Sequence, residues 1–171
     1  MRIILKTKEM NIDKTKPVMV TGANGYVASW LVKYLLEEGL TVHAAVRNPN
    51  DEKKIGHLKE VATNSKGTIK FFKSDLLTPG SYKEAMEGCE LVYHTASPFT
   101  LDVKDARKDL IEPALHGTEN VLKSVNETSS VKRVVLTSSC AAIYTDAIDT
   151  VNAPGGQLTE DIWNTNATES Y

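Results

Sequence analysis

VMVTGANGYVASWLVKYLLEEG, residues 18–39, joins a short apolar run, a glycine turn and an amphipathic helix in one unit. Val18, Met19 and Val20 suit a buried parallel strand, since a strand covered on both faces needs no polar alternation. Thr21-Gly22-Ala23-Asn24-Gly25 then breaks the run with residues that favour turns. Val27, Trp30, Leu31, Tyr34 and Leu35 follow at helical spacing, and Gly39 closes the helix. A helix that begins inside such a turn aims unpaired backbone N–H groups and its positive dipole end at whatever sits above them, which suits a nucleotide pyrophosphate. Gly22 offers backbone angles closed to other residues, and Gly25 lets the main chain approach a phosphate with no Cβ in the way. The pattern is GxxGxxA, with Ala28 where a third glycine often stands. That position needs only a small residue for close helix–strand packing.

The remaining composition fits one domain. The chain has 171 residues, and no shift in composition divides it. Residues 1–16 read as a polar leader, with Met10 as an alternative start; its apolar run, Ile3 to Leu5, is too short for a signal or a membrane span. Net charge is −2 from 20 basic and 22 acidic residues, and neither sign forms a long block. Composition therefore makes no case for a nucleic-acid or membrane surface, while a small anionic ligand needs only a local site. Cys89 and Cys140 lie far apart, show no metal-ligand spacing and read as reduced thiols of a cytoplasmic protein.

Strand and helix patterns alternate after Gly39. Strands are expected at Thr41–Val46, at Thr68–Phe72 ending near Asp75, at Leu91–His94 and at Arg133–Thr137. Helices are expected from Asp51 to about Ala62, from Pro79 to Met86 and from Ala106 to Asn126. In the last, Leu110, Ile111, Leu115, Val121, Leu122 and Val125 are candidate core positions, and Pro113 kinks or divides the helix. Beyond Ile143 the chain reads as a loop rich in Asp, Asn, Thr, Pro and Gly. Such alternation calls for an α/β Rossmann-type fold, a parallel sheet of order 3-2-1-4-5 with helices on both faces. Residues 17–145 form this domain and 146–171 a following loop. The ligand is expected in the crevice at the carboxyl ends of strands 1 and 4, where the strand order reverses.

The cofactor is chosen at the end of the second strand. An NAD site usually carries an acid there for the ribose hydroxyls, whereas this chain reads Ala44-Ala45-Val46-Arg47. Arg47 can meet a ribose 2′-phosphate with a charge-assisted contact, and Lys53 and Lys54 can add charge from the next helix. As isolated charges these would be ordinary solvated residues; the absent acid is what favours NADPH over NADH. Asp75 can accept from an adenine amino group while Leu76 covers the ring, although an isolated Asp75 would read as a turn cap. His94-Thr95-Ala96-Ser97-Pro98 leaves strand four with small residues that let a cofactor pass closely. Neither His43 nor His94 is assigned chemistry.

TGANGYVASWLVKYLLEEG, VRNPNDEKK, KSDL, VYHTASP and VVLTSSCA, taken in order, resemble the extended short-chain dehydrogenase/reductases. The match is to the group containing dihydroflavonol reductase, cinnamoyl-CoA reductase and the microbial aldehyde and ketone reductases, over residues 17 to about 165. The resemblance implies an NADP(H)-dependent oxidoreductase that reduces an aldehyde or ketone by hydride transfer. It implies cofactor contacts at Gly22, Asn24, Gly25, Tyr26 and Val27 of the turn, at Arg47 and Lys54 for the 2′-phosphate, at Asp75 and Leu76 for adenine, and at Thr95, Ala96 and Ser97 beside the ribose and nicotinamide. It also implies a catalytic serine at Ser139, with Ser138 as the adjacent alternative. There the hydroxyl bonds the substrate oxygen while a tyrosine supplies its proton and a lysine lowers that tyrosine's pKa.

That tyrosine and lysine belong to a YxxxK motif, and none occurs in these 171 residues. Tyr171 stands either at the motif or just upstream of it. The pattern therefore reads as the N-terminal half of a longer reductase, truncated and impaired at this length, with an open apolar edge on strand five that invites self-association. A non-catalytic NADP-binding module and an NAD-dependent sugar-nucleotide epimerase or dehydratase are the alternatives. Tyr144 stands where plant dihydroflavonol reductases carry an asparagine, so a small aldehyde or ketone suits better than a flavonoid.

Overall fold

Five segments pair side by side as parallel strands in a computed structural model that describes residues 11–98 and 102–167. They are β1 (Val18–Thr21), β2 (Thr41–Val46), β3 (Thr68–Lys73), β4 (Leu91–His94) and β5 (Arg133–Leu136). The order is β3-β2-β1-β4-β5, as the alternation predicts, with Val18 opposite both Val42 and Leu91. The connections are α1 (Tyr26–Glu37), α2 (Glu52–Thr63), α3 (Lys83–Met86) and α4 (Glu112–Asn126). Tyr171 and residues 1–10, Met10 included, lie outside the described residues. Within residues 11–16, Asp13 is held by its N–H, which donates to Glu90 Oε2 at 3.0 Å.

Two apolar clusters sandwich the sheet. On one face Val20, Val32, Leu36, Ile55 and Leu58 are fully buried beneath α1 and α2; on the other, Met19, Ala45, Met86, Val92 and Val121 pack beneath α3 and α4. Each large side chain removed from water in this way contributes about 1.5–3 kcal/mol before chain entropy is counted.

The helices bury stripes that only partly overlap those that spacing suggests. In α1 the buried residues are Ala28, Val32, Leu35 and Leu36, while Val27, Trp30 and Tyr34 are 64%, 49% and 57% exposed. The helix carries apolar residues on two faces. The small residue at 28 decides between them, because only the stripe that starts at Ala28 lets the helix axis come close to the strands. In α4 the buried face is Gly117, Val121 and Ser124; of the six candidate core positions Val121 alone is buried, and Ile111, Leu115 and Leu122 are exposed. Close approach again selects the small residues: a Cβ on Gly117 would stand 3.1 Å from Leu76 Cδ2.

Pro113 divides the long helix as expected. It lacks an N–H and its ring excludes the carbonyl four residues earlier, and the preceding turn, Arg107–Ile111, widens to π-helical pairing. The expected helix from Pro79 is shorter than its sequence suggests, since residues 79–82 form turns before α3. The stretch after Ile143 is also less uniform than a plain loop. A 3₁₀ turn at Cys140–Ala142 precedes it, and it contains a short helix, α5 (Asp149–Asn152), and a second 3₁₀ turn at Pro154–Gly156.

Candidate nucleotide-binding site

The carboxyl ends of β1, β2, β3 and β4 open into one cleft of about 580 Å³. Its lining includes Gly22, Asn24 and Gly25, then Arg47 and Lys54, then Asp75 and Leu76, then Thr95, Ala96 and Ser97. Ten of the sequence-expected residues thus meet in one space. Tyr26, Val27 and Ser139 do not line it.

The glycine turn forms one wall. Gly22 has φ +60°, and a Cβ there would stand 3.1 Å from Ala96 Cβ, so glycine serves both the backbone angle and the close approach of two loops. Gly25 has ordinary angles (φ −72°, ψ 162°); its need for glycine is steric, because a Cβ would meet the Gly22 carbonyl oxygen at 3.2 Å. That carbonyl accepts the Gly25 N–H at 2.8 Å and closes the turn. No side chain caps α1 and no acid sits in its first turn. The N–H groups of Tyr26, Val27 and Ala28 are left without intrahelical acceptors, which leaves them and the helix dipole for an anion. Tyr26 at 85% exposure and Val27 at 64% can serve through these backbone groups, their side chains standing outside the cleft.

Arg47 stands just past β2, exposed, and among the described residues it has no ion-pair partner. Lys54 lies 3.5 Å from Asp51 Oδ2, a loose pair with the lysine side chain 65% exposed. Asp51 occupies the N-cap of α2, and its carboxylate makes no capping bond; its backbone carbonyl accepts the Lys54 and Ile55 N–H groups instead. A second anion can therefore compete for Lys54 at small cost.

Asp75 is both a turn cap and a cleft residue. Its Oδ1 accepts the Leu77 N–H at 2.9 Å, which leaves Oδ2 for a further donor. Leu76 is clamped by α4: Gly117 presses on its side chain, and Asn120 Nδ2 donates to its carbonyl at 2.8 Å. The sequence gives no local sign of this clamp, because 44 residues separate the partners. Tyr82 lines the same cleft at 2% exposure; burial first, and the charge of Asp75 second, push its phenol pKa up and keep it protonated.

Thr21 joins the two loops at the switch point. Its hydroxyl oxygen accepts the N–H of Thr95 at 3.1 Å and of Ala96 at 2.9 Å, and the Thr95 hydroxyl donates to the Thr21 carbonyl. With both lone pairs engaged, the Thr21 proton points to His94 Nδ1, 2.9 Å away. His94 is then the neutral Nε2–H tautomer, in keeping with burial pushing its pKa down. His43 is likewise structural: it is buried, its Nδ1 lies 2.8 Å from the Ala85 carbonyl, and burial lowers its pKa. Thr21 was legible only as a turn residue, since its three partners lie 73–75 positions away.

Ser139 ends the chain's run past β5 and caps the following 3₁₀ turn. Its Oγ accepts the Ala141 N–H at 3.2 Å, which leaves its own proton for another acceptor. Cys140 beside it is exposed and Cys89 is buried, with the Cys89 thiol pushed up to about 12 by burial; the two are not joined. No group of metal-ligating side chains occurs among the described residues, and no described helix is long and apolar enough to cross a membrane.

A parallel sheet with a glycine turn, an uncapped helix and convergent polar groups at its switch point defines a Rossmann-type nucleotide-binding domain. The chain belongs to the NAD dependent epimerase/dehydratase family, whose model matches residues 18–167. It is 54% identical to cinnamoyl-CoA reductase CAD2 of Medicago truncatula over 126 residues, 74% of this chain and 38% of that protein. It is 40% identical to anthocyanidin reductase of Arabidopsis thaliana over 149 residues, 87% of this chain and 42% of that protein. The yeast methylglyoxal/isovaleraldehyde reductase Gre2, solved in complex with NADPH, superposes with a TM-score of 0.71 at 32% identity, over 90% of this chain and 45% of that one. The resemblance to this reductase group, drawn from five short motifs, therefore holds. The chain spans less than half the length of these relatives.

Proposed function

We propose that the protein binds NADP(H) in this cleft and serves the reduction of an aldehyde or ketone. The observation that carries the proposal is the combination of Arg47, which has no ion-pair partner among the described residues and is seconded by Lys54, with an α1 N-terminus that has neither side-chain cap nor acid. The chain's donors fit the nucleotide's parts: N–H groups of residues 26–28 for pyrophosphate, Arg47 and Lys54 for the 2′-phosphate, Asp75 Oδ2 and Leu76 for adenine, and the Thr95–Ser97 turn for the ribose and nicotinamide. When bound, the nicotinamide supplies the hydride. Ser139 is the residue we assign to the substrate oxygen, since its hydroxyl proton is not used by its own cap. The names of the relatives, a cinnamoyl-CoA reductase and a methylglyoxal/isovaleraldehyde reductase, support a carbonyl as the reacting group. The unpaired Cys89 and Cys140 support a cytoplasmic setting. The outer edge of β5, with Val135 and Leu136 exposed, supports self-association through that strand.

Calorimetric titration tests the cofactor claim. NADPH binds more tightly than NADH, and Arg47→Ala weakens NADPH by roughly 10-fold or more while leaving NADH unchanged, as expected for a hydrogen-bonded charge pair. Equal affinity of the two nucleotides, or an Arg47→Ala variant with undiminished NADPH affinity, would refute it.

A further inference from the structure

Among the described residues, three buried side-chain polar atoms have no hydrogen-bond partner: Ser74 Oγ, His94 Nε2 and Ser130 Oγ. Of these residues, Ser74 alone lines the cleft. Its N–H donates to the Val46 carbonyl at 2.9 Å, which carries the β2–β3 ladder one step past Lys73 and sets Ser74 beside Arg47. Asp75 and Leu76 follow it directly. At 4% exposure Ser74 lies within the wall, whereas Arg47 and Lys54 stand exposed at the rim.

We infer that Ser74 is a contact for the adenosine of the bound nucleotide, its hydroxyl bonding the adenine or its ribose; this rests on the nucleotide reading above. A buried hydroxyl without a partner is costly, and a fold retains one most readily where a ligand completes it. A serine hydroxyl both donates and accepts, which matches the ring nitrogens, the amino group and the ribose hydroxyls alike. Its depth favours these neutral groups over the 2′-phosphate, for which the rim cations suffice. The small side chain turns between staggered rotamers with little to displace.

Ser74→Ala distinguishes this role from a structural one by sign. Because Oγ bonds nothing among the described residues, its removal leaves the melting temperature unchanged or raises it, while NADPH and NADH affinities both fall about fivefold. Ser74→Cys, which keeps the shape without a strong hydrogen bond, repeats the result. Variants that bind both nucleotides as the wild type does, or that lose NADPH alone, overturn the inference. If Arg47→Ala still loses NADPH while Ser74→Ala binds normally, the nucleotide reading stands and this inference falls. A wild-type chain that binds neither nucleotide overturns both.

Discussion

Val18, Met19 and Val20 of β1 are at most 1% exposed, whereas Val135 and Leu136 of β5 are 41% and 54% exposed. Both strands belong to the same sheet, yet the first is covered by helices on both faces and no described residue from 126 to 167 is buried. The contrast follows the site. The expected residues that line the cleft come from the segments that follow β1 to β4, Lys54 of α2 being the one on a helix, and the turns among them are fixed by packing and by the Thr21 hydroxyl. Ser139 comes from the other region and is placed by backbone pairing, the last step being the Thr137 N–H on the His94 carbonyl at 3.0 Å. The cleft proposed for the cofactor thus lies in the packed part of this chain, while the position of Ser139 draws little from its core.

Substitution should separate the two regions most sharply at Thr21 and Ser139. Thr21→Val keeps the shape but removes the acceptor for two backbone N–H groups, costing about 2–3 kcal/mol; Ser139→Ala costs less than about 0.5 kcal/mol. Chemical denaturation measures both, and equal losses would erase the distinction. Acid should act next, and through the packed region. Burial lowers the folded-state pKa of His43 and His94, so the unfolded chain takes up protons first. Their contribution is complete above about pH 6.5 and is lost as pH falls towards the lowered values, which should reduce the melting temperature by at least about 3 °C between pH 7.5 and 5.5. A flat profile would show that these histidines are not buried as neutral rings. The smallest effect on stability lies at β5. Replacing exposed Val135 and Leu136 by lysine should change stability by less than about 0.5 kcal/mol, yet shift the sedimentation profile towards monomer. Unchanged sedimentation would remove β5 from any role in association.

Much of this could be read along the chain. The strand order, the glycine turn, Arg47 and Asp75 just past successive strands and Lys54 in the first turn of α2 were legible because each depends on short spacings and on backbone demands made locally. What could not be read depends on partners far apart in sequence. Spacing showed that α1 and α4 carry apolar residues, but both have two such stripes, and only the close approach at Ala28 and Gly117 decided which stripe meets the sheet. The clamp of Asn120 on Leu76 and the hydroxyl of Thr21 under Thr95 and Ala96 leave no trace in local patterning either.

The sequence by itself determined the class of fold, the end of the sheet at which the cleft opens and the arginine that lines it, since periodicity, glycine placement and an arginine in place of an acid act within a few residues. Tertiary structure decided the buried helix faces, the neutral tautomer of His94, the clamp on Leu76 and the unsatisfied hydroxyl of Ser74. Each of these depends on which atoms from distant segments arrive within about 3 Å, and hydrogen bonding and close packing act only at that range.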